Sequence, residues 1–391
     1  MLLSSVRPLL LTAVLLPFAV AAPAASTAAS AAAPTATPAG PETLVNSNAA
    51  EPAFCTKNTQ KFCPVFEENF DRLDTKVWKH DVTMSGGGNW EFEWYTNNRT
   101  NSYTKDGSLY LHPTLTADNI GAANVVNGFT HNIEGNEALV HCTDPGFFGC
   151  LRTSDGRNII NPIQSARIST VNSFSMKYGR IEVRAKLPVG DWLWPAIWML
   201  PTDSSYGNWP ASGEIDIMES RGNAPGGQQV GADTYGSTLH WGPSFGYNGY
   251  PKTHKEYKLP GGKTFADDFH TFGMEWTPEG IKTYVDDPAN VVLDVPFTQT
   301  FWDKGGFPTS MKNPWEGACT SAPFDQEFHL VMNVAVGGTA SYFPDTPNKP
   351  WKNTSPNAAL DFWNARDQWL PTWKGDNVAM KIDSVKAWKL C

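Results

Sequence analysis

Charged residues are scarce in this chain of 391 residues, because Asp, Glu, Lys and Arg together make up only 18% of it, against about 25% in average soluble domains. It has no cationic run, and its formal net charge of −9 argues against nucleic acid or an anionic membrane as the main partner. Beyond the N-terminus, no stretch of about 18 apolar residues could cross a bilayer. No long segment with a helical period is present either, which argues against a helical bundle.

Apolar and turn-forming residues are plentiful instead. Hydrophobic residues make up 41% of the chain, enough for a sizeable core, and there are 33 Gly, 30 Pro and 16 Trp. Short β-rich runs between turn residues are predicted strands: residues 108–112, 180–187, 281–285, 328–336 and 380–390. The second run alternates strictly, as a strand with one wet face does, whereas the fourth is almost wholly apolar, as a strand covered on both faces is. This pattern predicts an all-β fold, a sandwich with elaborated loops and few helices.

The first 50 residues carry targeting and spacer patterns. Residues 1–21 combine a positive Arg7, an apolar run and an Ala-Val-Ala cleavage site, which is typical of a secretory signal peptide. Residues 22–50 are mostly Ala, Pro, Ser and Thr, which predicts a flexible segment because little there can be buried. We therefore predict a secreted, extracellular monomer, free of the membrane after signal cleavage, in which residues 51–391 form one domain.

Secretion makes the 6 cysteines informative, since an oxidising compartment lets disulfides persist. Six cysteines allow fifteen complete pairings, so the sequence does not determine the connectivity. Loop-closure entropy favours the two near pairs and leaves the third by elimination. The predicted bridges are Cys55–Cys63, Cys142–Cys150 and Cys319–Cys391. The spacings match no zinc site, and sequons at Asn98 and Asn353 predict N-glycosylation.

The sharpest local pattern places three carboxylates within six residues. Glu214, Asp216 and Glu219 are separated by apolar residues. Burying a charge in such a half-buried strand is costly unless the charge is paired, hydrated or required for chemistry. On a regular strand Glu214 and Asp216 share one face and Glu219 points to the other. An extra residue in a β-bulge near residues 217–218 would turn Glu219 back onto the shared face.

Crowding on one face would give these carboxyls different proton affinities. Repulsion between the negative charges pushes at least one carboxyl toward its protonated form while another stays ionised. One group can then act as an acid and another as a nucleophile, as a two-step glycosyl transfer requires. Five residues of flat strand span roughly 16 Å, whereas a retaining glycosidase holds its carboxyls about 5–5.5 Å apart. The bulge and strand curvature would have to close that gap. The alternative is an acidic edge strand with solvated carboxylates.

Tryptophans surround this segment, as they do in many sugar-binding sites. Indole rings accept the flat C–H faces of pyranose sugars and keep an N–H donor. We expect Trp198 and Trp209 to contact sugar, and we assign Trp192 and Trp194 to the core or a loop. His240, farther along the chain, could hydrogen-bond a bound sugar, although a lone histidine is more often structural.

In these segments the sequence resembles glycoside hydrolase family 16, specifically the endo-β-1,3-glucanases (laminarinases) and the related invertebrate β-1,3-glucan recognition proteins. The resemblance extends from about Phe66 to Leu390 and rests on several segments in one order. They are residues 66–71, 89–99, 178–188, 190–201, 269–278, 333–338 and 361–364. It implies that residues 51–391 are a catalytic domain with a concanavalin A-like β-jelly-roll sandwich, a concave glycan-binding cleft and long loops.

The resemblance also implies roles for individual residues. The family motif Glu-x-Asp-x-x-Glu falls on Glu214, Asp216 and Glu219, which makes Glu214 the nucleophile, Glu219 the acid/base and Asp216 an electrostatic assistant. The implied sugar-binding positions are Arg167, Asn97, Trp198, Trp209 and His240. The first two would hydrogen-bond the sugar and the tryptophans would stack on it. No cofactor or catalytic metal is implied, and the family leaves room for a structural Ca²⁺.

Two departures from the recognition proteins favour an enzyme. Those proteins carry an additional N-terminal glucan-binding domain, and many have lost catalytic carboxylates, whereas this chain keeps all three. The sequence therefore predicts a secreted retaining endo-β-1,3-glucanase that acts on laminarin-like or cell-wall glucan, with β-1,3-glucan as its partner. One alternative is a non-catalytic β-1,3-glucan-binding protein that uses the same cleft. Another is a cell-wall glucan transglycosylase, which passes the covalent intermediate to a sugar.

Overall fold

The strands of this protein dominate its computed structural model, which describes residues 61–134, 141–227 and 229–391. The strands are β1 Phe62–Glu68, β2 Lys79–His80, β3 Glu93–Tyr95, β4 Ser102–Lys105, β5 Ser108–Leu111, β6 Thr114–Leu115, β7 Asn127–Asn132, β8 Leu151–Asp155, β9 Ile163–Ser165, β10 Arg167–Ser169, β11 Gly179–Lys186, β12 Leu193–Pro201, β13 Glu214–Ser220, β14 Thr234–His240, β15 His254–Lys258, β16 His270–Thr277, β17 Gly280–Val285, β18 Val291–Pro296, β19 Phe328–Val336 and β20 Met380–Leu390. The helices are α1 Ala117–Ile120, α2 Ala122–Val126, α3 Phe301–Gly305, α4 Ala358–Asn364 and α5 Arg366–Trp369. The signal peptide and flexible segment predicted for residues 1–50 lie outside the described residues.

Two antiparallel sheets hold most of these strands. Sheet A has the order β18-β17-β16-β11-β20-β5-β4, with β1 also paired to β20. Sheet B has the order β15-β14-β13-β12-β19-β10-β2. Smaller sheets, β3-β9-β6 and β7-β8, lie in the connections. Within the described ranges no helix is long and apolar enough to span a bilayer.

The strand patterns of the sequence reappear as burial patterns. In β11, buried residues such as Ile181 and Val183 alternate with more exposed ones such as Arg184, which confirms the strand with one wet face. All nine residues of β19 are buried, because this strand lies between β12 and β10 inside sheet B. Ile181 belongs to the same hydrophobic cluster as Ile197 of β12 and Met332 of β19. Burial of this apolar surface is the main term that holds such a sandwich together.

The disulfides correct part of the sequence prediction. Cys142–Cys150 is present, as predicted. Cys63 pairs with Cys391 instead, so the predicted Cys55–Cys63 and Cys319–Cys391 bridges are wrong. Loop-closure entropy describes the unfolded chain, whereas β1 and β20 pair antiparallel in sheet A and bring their ends together at a Cα–Cα distance of 6.0 Å. Cys319 is also disulfide-bonded, and Cys55 lies outside the described residues.

The two predicted glycosylation sequons differ in their surroundings. The Asn98 residue is exposed. The Asn353 amide is engaged instead, because its Nδ2 donates to the Phe343 carbonyl and its Oδ1 accepts from the ammonium of buried Lys349. A glycan on Asn353 would have to displace these contacts, so Asn98 is the better candidate of the two.

Candidate active site

β13 carries the three carboxylates of the sequence motif, and a bulge interrupts its pairing on both sides. The cross-strand partners on β12 and β14 are Trp198 and Thr238 for Asp216, and Ala196 and Gly236 for Glu219. Ile217 and Met218 therefore stand together against a single residue on each neighbouring strand. Both are fully buried in the core, and the extra residue returns Glu219 to the face of Asp216. The bulge predicted near residues 217–218 is confirmed.

The residues beside Glu219 are small. Ala196 on β12 and Gly236 on β14 are its direct neighbours across the sheet, and cross-strand neighbours share one face. Neither carries a side chain beyond Cβ. On the β14 side the imidazole of His254 fills the space over Gly236 and lies 2.9 Å from Thr238 Oγ1 through its Nδ1.

Each glutamate accepts a hydrogen bond from an indole. Trp209 Nε1 donates to Glu214 Oε2 at 3.0 Å, and Trp194 Nε1 donates to Glu219 Oε1 at 2.9 Å. These bonds fix one oxygen of each carboxyl and leave the other available for chemistry. The Trp209 ring is 38% exposed, so it can also offer a face to a ligand.

His240 lies close to two of the three carboxyls, those of Asp216 and Glu214. It lies opposite Glu214 at the end of β14, and its Nε2 is 3.1 Å from Asp216 Oδ2 and 3.7 Å from Glu214 Oε1. Its other ring nitrogen, Nδ1, is 2.7 Å from Asn248 Nδ2. Asn248 Oδ1 accepts the backbone N–H of Tyr250 at 3.1 Å, which turns the amide nitrogen toward the imidazole as a donor. Nδ1 is therefore the acceptor, and Nε2 carries the proton that faces Asp216.

Burial changes the proton affinity of all three carboxyls. It raises the pKa of Glu214, of Asp216 and of Glu219 to about 8. The negative charge of Asp216 raises the pKa of both glutamates further, whereas His240 and the Trp209 and Trp194 N–H groups act in the opposite direction. The site therefore favours keeping protons on part of this set near neutral pH.

Two predicted sugar-binding residues lie together on sheet B, Trp198 on β12 next to β13 and Arg167 on β10. Trp198 is half-buried beside Asp216, and the guanidinium of Arg167 lies 4.6 Å from the centre of its ring. Arg167 also pairs with Asp81 at 2.9 Å. Trp198 Nε1 donates to Asn333 Oδ1 at 2.7 Å, which fixes the indole plane.

Asn97 is placed differently from the other predicted site residues. Its side chain is exposed, and its Oδ1 accepts from the Arg99 guanidinium. It lines a small cavity with His80 and His141. Among the described residues, its hydrogen bonds connect it to Arg99 and not to the carboxylates of β13, so its sugar contact stays a prediction.

The structure adds residues that sequence reasoning missed. Trp194, assigned to the core or a loop, is buried but donates to Glu219, and Tyr342 stacks on its ring at 3.7 Å. The sequence did contain a clue to the position of Trp194. It is separated from Trp198 by an even number of positions, which puts both indoles on one face of β12. Asn333 was also visible as a polar residue in the apolar run of β19. Asn248 lies in an irregular loop, where no periodic pattern marks it.

One group of side chains offers ligand atoms that could hold a metal. In the part of the chain that the structure describes, atoms of Glu214, Asp216 and His240 lie within 4.8 Å of one another. His240 offers no lone pair to this group, because Asn248 keeps the proton on Nε2. His240 therefore contributes an electrostatic contact to Asp216 and Glu214, and the room for a structural Ca²⁺ stays a prediction.

Comparisons with known proteins agree with this architecture. The profile described as glycosyl hydrolases family 16 matches residues 89–313. The chain is 49% identical over 351 residues to the beta-1,3-glucan-binding protein of Penaeus monodon, covering 88% of this chain and 94% of that protein. It is 36% identical over 280 residues to glucan endo-1,3-beta-glucosidase A1 of Niallia circulans, covering 70% of this chain and 33% of that protein.

A solved structure supports the fold. The laminarinase from Rhodothermus marinus superposes with a TM-score of 0.50 at 27% identity, covering 85% of this chain and 98% of that one. The paired sheets A and B correspond to a jelly-roll sandwich, so the predicted fold class is confirmed.

Proposed function

Because the chain belongs to glycosyl hydrolase family 16, we propose that it is a secreted retaining endo-β-1,3-glucanase acting on laminarin-like or cell-wall glucan. The observation that carries this proposal is the bulge of β13, which puts Glu214, Asp216 and Glu219 on one face of sheet B. A solvated acidic strand would need neither the bulge nor the burial of these carboxyls. The names of the Niallia and Rhodothermus relatives support the same activity.

The reaction begins with attack by Glu214. Its free carboxylate oxygen forms a bond to the anomeric carbon while the bond from that carbon to the leaving oxygen breaks, and Glu219 gives its proton to that oxygen. The glycosyl-enzyme is then hydrolysed by water, which gives a proton to Glu219 and its oxygen to the anomeric carbon. This releases Glu214 and restores both groups. The second displacement returns the original anomeric configuration.

The environment of each glutamate fits its role. Burial raises the pKa of Glu219, which is what a general acid near neutral pH needs. Glu214 receives the Trp209 N–H and lies 3.7 Å from the His240 Nε2 proton donor, and both contacts lower its pKa relative to burial alone. Asp216 lies between them, 3.1 Å from His240 Nε2, and burial raises its pKa to about 8 as well. Its negative charge favours the protonated form of Glu219.

Sugar binding is proposed for the side chains around this centre. Trp209, with an exposed ring, and Trp198 would stack on pyranose faces on either side of Glu214. Arg167 has further guanidinium nitrogens beyond the one paired with Asp81 and would hydrogen-bond sugar hydroxyls. His240 would contact the sugar beside the nucleophile. We propose β-1,3-glucan as the partner, as the name of the Penaeus relative says of that protein.

A second candidate is a glucan-binding protein without catalysis. The Penaeus relative, 49% identical over 351 residues, is named a beta-1,3-glucan-binding protein. Incubation with laminarin separates the candidates. The enzyme should release new reducing ends, and proton NMR should show products that first appear with the β configuration. A binder would retain laminarin and release none. Transfer products longer than the substrate would identify a transglycosylase.

The contact between Asn248 and His240 gives a prediction about positioning. Asn248→Asp keeps the oxygen that accepts the Tyr250 N–H but replaces the donor to His240 Nδ1 with an acceptor. Acceptors on both sides would favour a doubly protonated imidazole, whose positive charge beside Glu214 weakens that carboxylate as a nucleophile, and we expect turnover on laminarin to fall about tenfold with little change in KM. In a His240→Gln background the same change should have no further effect. Equal losses in both backgrounds would show that Asn248 acts only through its loop.

A further inference from the structure

A group of exposed aromatic residues lies in and beside the loop that the Cys142–Cys150 bridge closes. Trp90, Phe147 and Phe148, here called the aromatic patch, are 52%, 60% and 72% exposed. The rings of Trp90 and Phe147 meet edge to face at 5.4 Å. Large apolar side chains this exposed, and in contact with one another, commonly mark a binding surface.

The loop that presents two of these rings is rigidly attached. The Cys142–Cys150 bridge closes it, the Gly149 carbonyl accepts the Met84 N–H at 2.8 Å, and the Phe147 carbonyl accepts from Arg152 Nη2 at 2.9 Å. A ligand that stacks on these rings would therefore find them already in place, which lowers the entropy lost on binding.

The backbone at the patch is in an unfavourable conformation. Trp90, Phe147 and Phe148 have φ angles of 53°, 52° and 63°, in the left-handed region that costs about 1–2 kcal/mol for residues with a Cβ. All three rings are nevertheless largely exposed to solvent, so packing in the core does not offset the conformational energy of the backbone. Strain of this kind is concentrated at functional surfaces.

A cavity of about 750 Å³ lies beside the patch. Trp90, Phe148 and Leu151 give it an apolar side, whereas Arg157 and Asn158 contribute donors and acceptors. Arg157 Nε donates to Asn357 at its rim. Apolar rings next to amide and guanidinium groups fit a neutral ligand with many hydroxyls, because a lipid chain would leave the polar groups unpaired.

The cavity is linked to the catalytic face by a short series of side chains. Glu91 lines it and accepts from Tyr95 Oη at 3.4 Å. Tyr95 Oη in turn accepts from Asn333 Nδ2 at 3.1 Å, and Asn333 holds the Trp198 indole. Two side chains, Tyr95 and Asn333, therefore lie between the lining of the cavity and the Trp198 ring, which adjoins Asp216.

We propose that the aromatic patch and its cavity form a remote subsite for the same glucan polymer whose scissile bond lies over β13. This inference rests on the proposed function and adds to it. A polymer bound at both places contacts the patch as well as the residues around the scissile bond. Long chains should therefore bind more tightly than short ones. Laminaritetraose is short enough to be held within the central cleft and would not reach the patch.

The test compares Trp90→Ala and Phe148→Ala with Val65→Ala, which truncates another exposed apolar side chain, on β1 in sheet A. Calorimetric titrations of the whole protein, with Glu219→Gln added to keep substrates intact, measure Kd for laminarin and for laminaritetraose. We expect each patch variant to bind laminarin about fivefold to tenfold more weakly and laminaritetraose within about twofold of the parent. Val65→Ala should match the parent on both.

Two results would overturn the remote subsite. Unchanged laminarin affinity would show that the patch serves another partner, and equal losses on both ligands would show that the variants disturb the cleft itself. Circular dichroism of each variant identifies a loss of fold. If the wild-type protein binds laminarin but releases no reducing ends, the proposed function fails while these titrations still decide the subsite.

Discussion

Glu214→Gln and Glu219→Gln should each lower turnover on laminarin by about two to four orders of magnitude while the fold stays intact. Gln has the size of Glu and can still accept the indole N–H that each carboxyl receives from Trp209 or Trp194. It can neither attack the anomeric carbon nor donate a proton to the leaving oxygen. Reducing-end assays measure the loss. Glu279→Gln, which changes an exposed residue, should keep full turnover.

The two roles can be separated with small nucleophiles and activated substrates. An aryl β-glucoside with a very acidic phenol leaves without protonation, so Glu219→Ala should still form the glycosyl-enzyme and added azide should trap it as the β-azide. Glu214→Ala has no nucleophile, so azide should instead attack directly and give the α-azide. The same product from both variants would contradict the assignment of Glu214 as nucleophile and Glu219 as acid/base.

The same Gln variants should be more stable than the wild-type protein, by an amount that grows with pH. In the folded chain, burial raises the pKa of Glu214 and Glu219 from 4.5 to about 8. Across that window the folded state holds protons that the unfolded chain has released, so rising pH favours unfolding of the wild-type protein. Gln has no proton to lose. One pKa unit corresponds to about 1.4 kcal/mol, so we expect at least that gain in the free energy of unfolding at pH 8.

Thermal unfolding at several pH values measures this effect. The gain at pH 8 corresponds to a rise in Tm of about 2 °C for a chain of this size, whereas at pH 4 the variants and the wild-type protein should agree. Glu279→Gln should show no such pH-dependent difference. Equal Tm values for Glu219→Gln and the wild-type protein at pH 8 would show that the carboxyl is not held in a costly environment.

Local pattern was sufficient to predict five of the strands and the bulge of β13. The alternation of residues 180–187 and the apolar run of 328–336 specify which faces are buried. The bulge followed from the need to bring Glu219 to the face of Asp216, and two consecutive buried residues, Ile217 and Met218, satisfy it. These are short-range properties, which a sequence displays directly.

Long-range neighbours were harder to predict. Cys63 meets Cys391 only because β1 and β20 are paired in sheet A, and nothing local to either cysteine shows this. Asn248 reaches His240 from an irregular loop, and Asn97 turns to Arg99 rather than to β13. Such contacts depend on loop conformation and sheet order, which no periodic pattern specifies.

The bridge between Cys63 and Cys391 also closes the chain into a covalent ring, because it joins the first and last strands of the sandwich across a sequence separation of 328. A protease that cut once in an exposed loop, such as residues 244–247, would open this ring without releasing a fragment. The nicked protein would migrate as one species until it was reduced. Where proteases are abundant, a single cleavage would therefore leave both sheets tethered around β13.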